Sequence, residues 1–286
     1  MLFSAKYTRI LLSLLSLLCA ALTAFTGCAR SRAETSSVAQ TTAATASEPT
    51  ASAATRTEPA SAPAAATADE PEGEGHLIEI EPMFQDELES GCEIYAAVTL
   101  LGYYGYEIDE FTFSEEYLTT SPTYVGDDGV YYGPDLNSAF AGEPELGYGA
   151  YAPVLKNAVN KYLSGVDSDH TAEVEKDLTL AQLCERYIIN DIPAMVWLTT
   201  DMELPEEFIT WTVDYADENA DTGEGDEISW PSNEHCMLLT GYDDRYYYFA
   251  DSLEGITVSF ERGQCERVFE ELGKQAVVLV AQERTD

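Results

Sequence analysis

Basic residues are scarce in this chain of 286 residues: 14 Lys and Arg stand against 52 Asp and Glu, a formal net charge of -38. That balance excludes nucleic acid as a partner, because phosphate contacts need clustered Lys and Arg. It also sets the domain against anionic lipid headgroups and favours neutral or cationic partners. Only three histidines occur, so any imidazole chemistry must use His76, His170 or His235. No Cys-x-x-Cys or His-x-x-x-His pair appears, which argues against a zinc site. No Gly-x-Gly-x-x-Gly or phosphate-loop signature appears, so no nucleotide cofactor is expected. Cofactors and metals are expected to be absent from the chemistry.

The N-terminal part has little that could fold. Lys6 and Arg9 precede an apolar run from Ile10 to Phe25, shorter than the roughly 20 residues a spanning helix needs. The run ends in Leu22-Thr23-Ala24-Phe25-Thr26-Gly27-Cys28, which resembles a bacterial lipoprotein cleavage box. Residues 1–28 are therefore read as a signal peptide. The resemblance implies lipidation of Cys28 and retention on the outer face of the cell membrane; cleavage and free secretion is the alternative. Residues 29–75 are dominated by Ala, Thr, Ser, Pro and Glu and cannot bury enough apolar area to offset their ordering entropy, so they are read as a disordered linker. Such a coil spans about 35–40 Å root-mean-square.

Residues 76–286 have the size and apolar content of one domain. Ile94, Ala97, Val98 and Leu101 recur at helical spacing after Gly91-Cys92-Glu93, with Ser90 as the expected N-cap, Glu93 as its capping-box partner and Gly105 as the end. Further helices are expected from Pro153 to Leu163, Leu180 to Ile189 and Gln264 to Leu272. Strands are expected at 193–198, 235–242, 245–250, 256–260 and 275–280, with a turn at Asp243-Asp244. Residues 110–150 read as irregular. Helices first and a mostly antiparallel sheet afterwards is an α+β arrangement.

Cys92 falls in the first turn of the first helix, where unpaired N–H groups and the helix dipole favour a thiolate nucleophile. His235 opens an apolar strand, where an unpartnered imidazole is costly to bury. It lies roughly 140 residues after Cys92, inside the 130–150 separation of papain-type enzymes. Asp251 ends the returning strand of the hairpin and is placed to orient His235. Gln85, a few residues before Cys92, can offer its amide to an oxyanion beside the Cys92 N–H. His170 reads as solvated in a polar loop, and His76 has no candidate partner. The acidic stretch 214–227 departs from a calcium loop at Thr222 and Ile228 and is read as a solvated loop that would favour basic substrates if it overhung the cleft. Cys184 and Cys236 read as core residues, and a disulfide among Cys184, Cys236 and Cys265 is left open.

Four segments carry a resemblance: FQDELESGCEIYAAVTLLGYYG (84–105), PDLNSAFAG with GYGAYAPVLKNAVNKYL (134–163), NEHCMLLTGYDDRYYYFADSLEG (233–255) and FEELGKQAVV (269–278). Together they resemble stand-alone relatives of the bacteriocin-processing, double-glycine-leader cysteine peptidases, which are papain-like. The resemblance implies Cys92 as nucleophile, His235 as base and acid, Asp251 as its orienter and Gln85 in the oxyanion hole. It further implies a helix bearing the cysteine packed on a sheet bearing the histidine, and a peptide or protein substrate. Glu89 and Ser252 stand where such relatives often carry Pro. The expected function is an extracytoplasmic, membrane-tethered thiol peptidase. A cell-wall peptide amidase or transpeptidase with the same chemistry, or a non-enzymatic papain-like binding module, are the alternatives. Oligomeric state is not legible. Metabolic labelling with a fatty acid is expected to tag the protein at Cys28; an untagged mature form that keeps Cys28 contradicts the anchor.

Overall fold

The computed structural model describes residues 74–282 and the backbone of Ala66–Thr67. Residues 1–28, read as a signal peptide and including Cys28, and the stretch read as a linker, apart from Ala66–Thr67 and residues 74–75, lie outside the described residues. In chain order the strands and helices are β1 (Ala66–Thr67), β2 (His76–Leu77), α1 (Cys92–Tyr103), α2 (Glu110–Glu116), β3 (Thr120–Ser121), β4 (Tyr124–Val125), β5 (Tyr131–Pro134), β6 (Phe140–Ala141), α3 (Ala152–Leu163) and β7 (His170–Lys176). They continue with α4 (Leu180–Arg186), β8 (Ala194–Thr199), β9 (Ile209–Tyr215), β10 (Glu227–Trp230), β11 (Glu234–Tyr242), β12 (Tyr246–Asp251), β13 (Ile256–Glu261), α5 (Arg262–Glu271) and β14 (Gln275–Ala281).

The main sheet runs β1-β13-β12-β11-β8-β14-β7, with β2 added to β11, and every pairing in it is antiparallel. β8 touches both α1 and α5. All six of its residues are buried, and since successive strand residues face opposite ways, the sheet is covered on both faces. The α+β class read from the pattern is what the chain adopts. A second sheet, β10-β9-β5-β4, stands apart and joins β5 to β9 in parallel.

α1 is buried throughout Cys92–Leu101 rather than along one stripe, as befits a helix in the middle of a domain. Its N-cap is Gly91, with no side-chain cap. Ser90 does not cap; its hydroxyl donates to the Gly147 carbonyl at 2.9 Å. At the other end Gly105 adopts φ +82°, the left-handed geometry that glycine tolerates best, so Tyr106 N–H reaches the Leu101 carbonyl at 3.0 Å.

Four regions depart from the expected pattern. The stretch read as irregular contains α2, capped by Asp109, whose Oδ1 accepts from Thr112 N–H at 2.8 Å. β7 arises from a polar sequence, HTAEVEK, whose pairing along β14 holds it as an edge strand. β9 and β10 flank the acidic stretch and bury Trp211, Val213 and Trp230. Ala66–Thr67, inside the stretch read as linker, pairs with β13. No helix among the described residues is long and apolar enough to cross a membrane.

Candidate active site

The register of β11 and β12 sets the imidazole. Leu238 stands opposite Ala250, and continuing that pairing puts Asp251 opposite Met237. Residues two apart share a face, so Asp251 is the diagonal neighbour of His235, within side-chain reach. His235 Nε2 lies 2.8 Å from Asp251 Oδ1, both side chains being almost fully buried. Asp251 Oδ1 also accepts from Leu253 N–H at 2.9 Å. Burial works to raise the Asp251 carboxyl, but the hydrogen bond and charge of His235 outweigh it and hold the group below its ordinary range. With Nε2 committed to Asp251, the ring's Nδ1 is left for the cavity.

A cavity of about 190 Å³ is lined by Gln85, Cys92, Trp230, Glu234 and His235, with Tyr148 and Ile209 as further walls. The structure thus brings Gln85, Cys92 and His235 to one small space, with Asp251 directly behind the histidine. A larger groove of about 870 Å³ lies between residues 79–83 and the later part of α1. It holds no cysteine, histidine, serine or lysine; Cys92 and His235 line the smaller cavity.

The surroundings of Cys92 differ from what a helix N-terminus alone dictates. Its Sγ lies 3.3 Å from Glu93 Oε2 and 3.7 Å from Glu234 Oε2, and it accepts from Cys236 N–H at 3.4 Å. One thiol proton serves these carboxyls one at a time. Burial pushes the thiol well above its ordinary value, and the Glu234 and Glu93 carboxyls push it further; the Cys236 N–H acts the other way but is outweighed. The resting sulfur is therefore a neutral thiol, not the thiolate expected from its position, because two acids and desolvation exceed the dipole of one helix end. The hydrogen-bond partners of Sγ do not include His235.

Glu93 is fully buried. Its Oε1 accepts from Ala150 N–H at 2.7 Å and its Oε2 faces the thiol, so it is not the capping-box partner expected of it. Gly149 is what admits it: a Cβ there would meet Glu93 Oε1 and Trp230 Cζ2 at 2.5 Å. Burial raises the Glu93 carboxyl to about 7 despite the Ala150 hydrogen bond. Glu234 is raised well above its ordinary value by burial first and by Glu93 second. Sequence reasoning missed both acids as parts of the site. The available signal was a charged residue at the head of each of two apolar runs: Glu93 before IYAAVTLL and Glu234 before His235-Cys-Met-Leu-Leu.

Gln85 is pinned beside the cavity. Its backbone N–H donates to the Ser252 carbonyl at 2.8 Å, and its Oε1 accepts from the Ser252 hydroxyl at 3.0 Å. Its Nε2 donates to the carbonyls of Leu88 (2.9 Å) and Glu89 (3.1 Å). Ser252 supplies here a hydroxyl that a proline could not. Asp243 accepts from Arg245 N–H and Tyr246 N–H, both at 2.7 Å, and serves the turn.

The other candidates lie elsewhere. His76, read as partnerless, pairs with Asp191 at 2.8 Å. His170, read as solvated, opens β7 with its Nδ1 2.8 Å from the Tyr106 hydroxyl. Cys184, Cys236 and Cys265 are buried free thiols, without a disulfide. The acidic stretch folds onto the 135–138 corner, where Asp221 accepts from Asn137 and Asp217 N–H donates to Ser138. None of its carboxylates lines the Cys92 cavity. Among the described residues, Cys92, Glu93 and Glu234 form the group whose donor atoms, all within 4.8 Å of one another, would suit a metal ion.

With this geometry in view, the comparisons give the class. A model of the Peptidase_C39-like family matches residues 77–277, and the chain belongs to that family, a cysteine peptidase class. It is similar to the Bacillus subtilis (strain 168) protein described as uncharacterized protein YvpB, 26% identical over 196 residues that cover 67% of this chain and 70% of that protein. Among solved structures it is similar to a C39-like peptidase of Bacillus anthracis, with a TM-score of 0.59 and 25% identity over 74% of this chain and all of the other. A double-glycine-motif protease from an AMS/PCAT transporter, solved with its leader peptide, gives a TM-score of 0.40 and 12% identity over 72% of this chain and 95% of that one.

Glu93 yields a stability prediction with a fixed sign. Its folded pKa of about 7 exceeds the unfolded value near 4.3. The folded state therefore holds the extra proton between these values, and this contribution is present below about pH 4.3 and lost as pH rises through about 7. Glu93→Gln keeps the acceptor for Ala150 and removes the titration. Denaturant midpoints measured from pH 4 to 8 should fall less with rising pH in Glu93→Gln than in the wild type.

Proposed function

We propose that the protein is an extracytoplasmic thiol peptidase, tethered through lipidated Cys28 and the linker, that cleaves peptide bonds with Cys92, His235, Asp251 and Gln85. The observation that carries the reading is the convergence of Cys92, at a helix N-terminus, and a histidine already paired with Asp251 on one cavity. Family membership supports the peptidase class.

The chemistry starts from a neutral thiol. Rotation about the Cys92 Cα–Cβ bond turns Sγ from Glu93 toward His235 Nδ1, which takes the proton as sulfur attacks the peptide carbonyl. Asp251 holds the ring by Nε2 and offsets the charge it acquires. The oxyanion lies against the first-turn N–H of Cys92, which has no intrahelical acceptor. Gln85 Nε2 joins it by releasing one of its two carbonyl partners. The intermediate collapses as His235 gives its proton to the leaving amine. Water, deprotonated by His235, then releases the acyl group as a carboxylic acid and restores the thiol.

Cys92→Ala and His235→Ala should each abolish turnover of a peptide substrate, and Gln85→Ala should lower the rate on the order of a hundredfold. Chromatographic detection of cleavage products checks this, and full activity in Cys92→Ala would end the proposal.

A further inference from the structure

Two carboxyls flank the Cys92 sulfur, and the peptidase mechanism uses neither. They are not equivalent. Both oxygens of Glu93 are engaged, one by Ala150 N–H and one by the thiol. Glu234 has one oxygen 3.7 Å from Sγ, while its Oε1 is shut off from solvent and has no hydrogen-bond partner. An acceptor left without water or a partner is a standing cost. Glu234 nevertheless lines the cavity that holds Cys92 and His235. It is the first residue of β11, and rotation of its terminal torsion, which is broad, brings Oε1 to the cavity.

The rest of the lining points the same way. It contains Glu89 and Glu234 but no Lys or Arg. Its aromatic walls, Tyr148 and Trp230, present faces that attract cations. We propose that the substrate carries a cationic group beside the scissile bond, a basic side chain or a free amine, and that Glu234 is the carboxylate that receives it. This rests on the peptidase reading, whose substrate class it specifies.

The position of the acid gives the contact a second consequence. Burial first and Glu93 second set the Glu234 carboxyl against ionising, and a cation seated against it works the other way.

The test compares two small alkylating agents on the full chain at neutral pH in EDTA, which removes metal ions as competing cations. 2-Bromoethylamine carries an ammonium two carbons from the sulfur it alkylates; 2-bromoethanol is its neutral counterpart. Rates at Cys92 are read by mass spectrometry of its peptide and normalised to each reagent's rate with glutathione. The wild type should prefer the cationic reagent about tenfold, and the preference should shrink with added salt. Glu234→Gln should bring the ratio close to one, while Glu93→Gln keeps it. Should Glu234→Gln fail to fold by circular dichroism, the salt dependence in the wild type carries the test. Equal normalised rates in the wild type overturn the inference and leave the peptidase reading standing. A preference that survives in folded Glu234→Gln, or that ignores salt in the wild type, overturns the role of Glu234. Failure of both reagents to label Cys92 at neutral pH and again when the pH is raised to about 10, where an accessible thiol ionises, removes the accessible nucleophile, and the peptidase reading falls with the inference.

Discussion

The hydrogen bond from Ala150 N–H to the buried Glu93 carboxyl is the constraint on which the site depends. It ties the first turn of α1 to the segment that leads into α3, across a gap that exists because residue 149 is glycine. The same segment receives the Trp197 indole N–H at the Ala150 carbonyl, 2.8 Å away, and so fastens to β8. β8 pairs with β11 through Leu198 and His235. Cysteine and histidine thus reach one cavity along a chain of buried contacts from Glu93 through Ala150, Trp197 and β8 to β11. A buried carboxyl is costly unless its oxygens are satisfied, and Glu93 meets that condition by using both, one of them on the Cys92 thiol.

That arrangement sets the electrostatics of the nucleophile. A helix N-terminus favours an anion, but at Cys92 it competes with desolvation and with two carboxyls at 3.3 and 3.7 Å. Charges at such separations in a dry setting interact far more strongly than in water. The outcome is a thiol set against ionising, beside a histidine held by Asp251. Such a site is quiet until a substrate enters.

Much of the frame was legible because it depends on local patterns. The apolar spacing after Cys92 marked α1, and the run His-Cys-Met-Leu-Leu, the Asp243-Asp244 turn and the returning tyrosines marked the hairpin that brings Asp251 against His235. β7 and β9 were not legible, since a polar edge strand and a strand of a small second sheet owe their form to neighbours rather than to their own sequence. The local rules also misassigned Ser90 and Glu93. A capping box between them satisfies the spacing, but Gly147 and Ala150, distant in sequence, offer partners in the folded state that no spacing reveals. His76 and His170 read as free for the same reason: Asp191 and Tyr106 come to them only through the fold.

The most direct test of this account is the pH dependence of Cys92 alkylation by iodoacetamide in the wild type and in the Glu93→Gln, Glu234→Gln double variant. The account predicts wild-type labelling that rises only above the ordinary thiol range near pH 8.5, with the rise shifted to lower pH in the double variant. Labelling that persists well below pH 7 in the wild type, or a rise that does not move when both acids are neutralised, would contradict it.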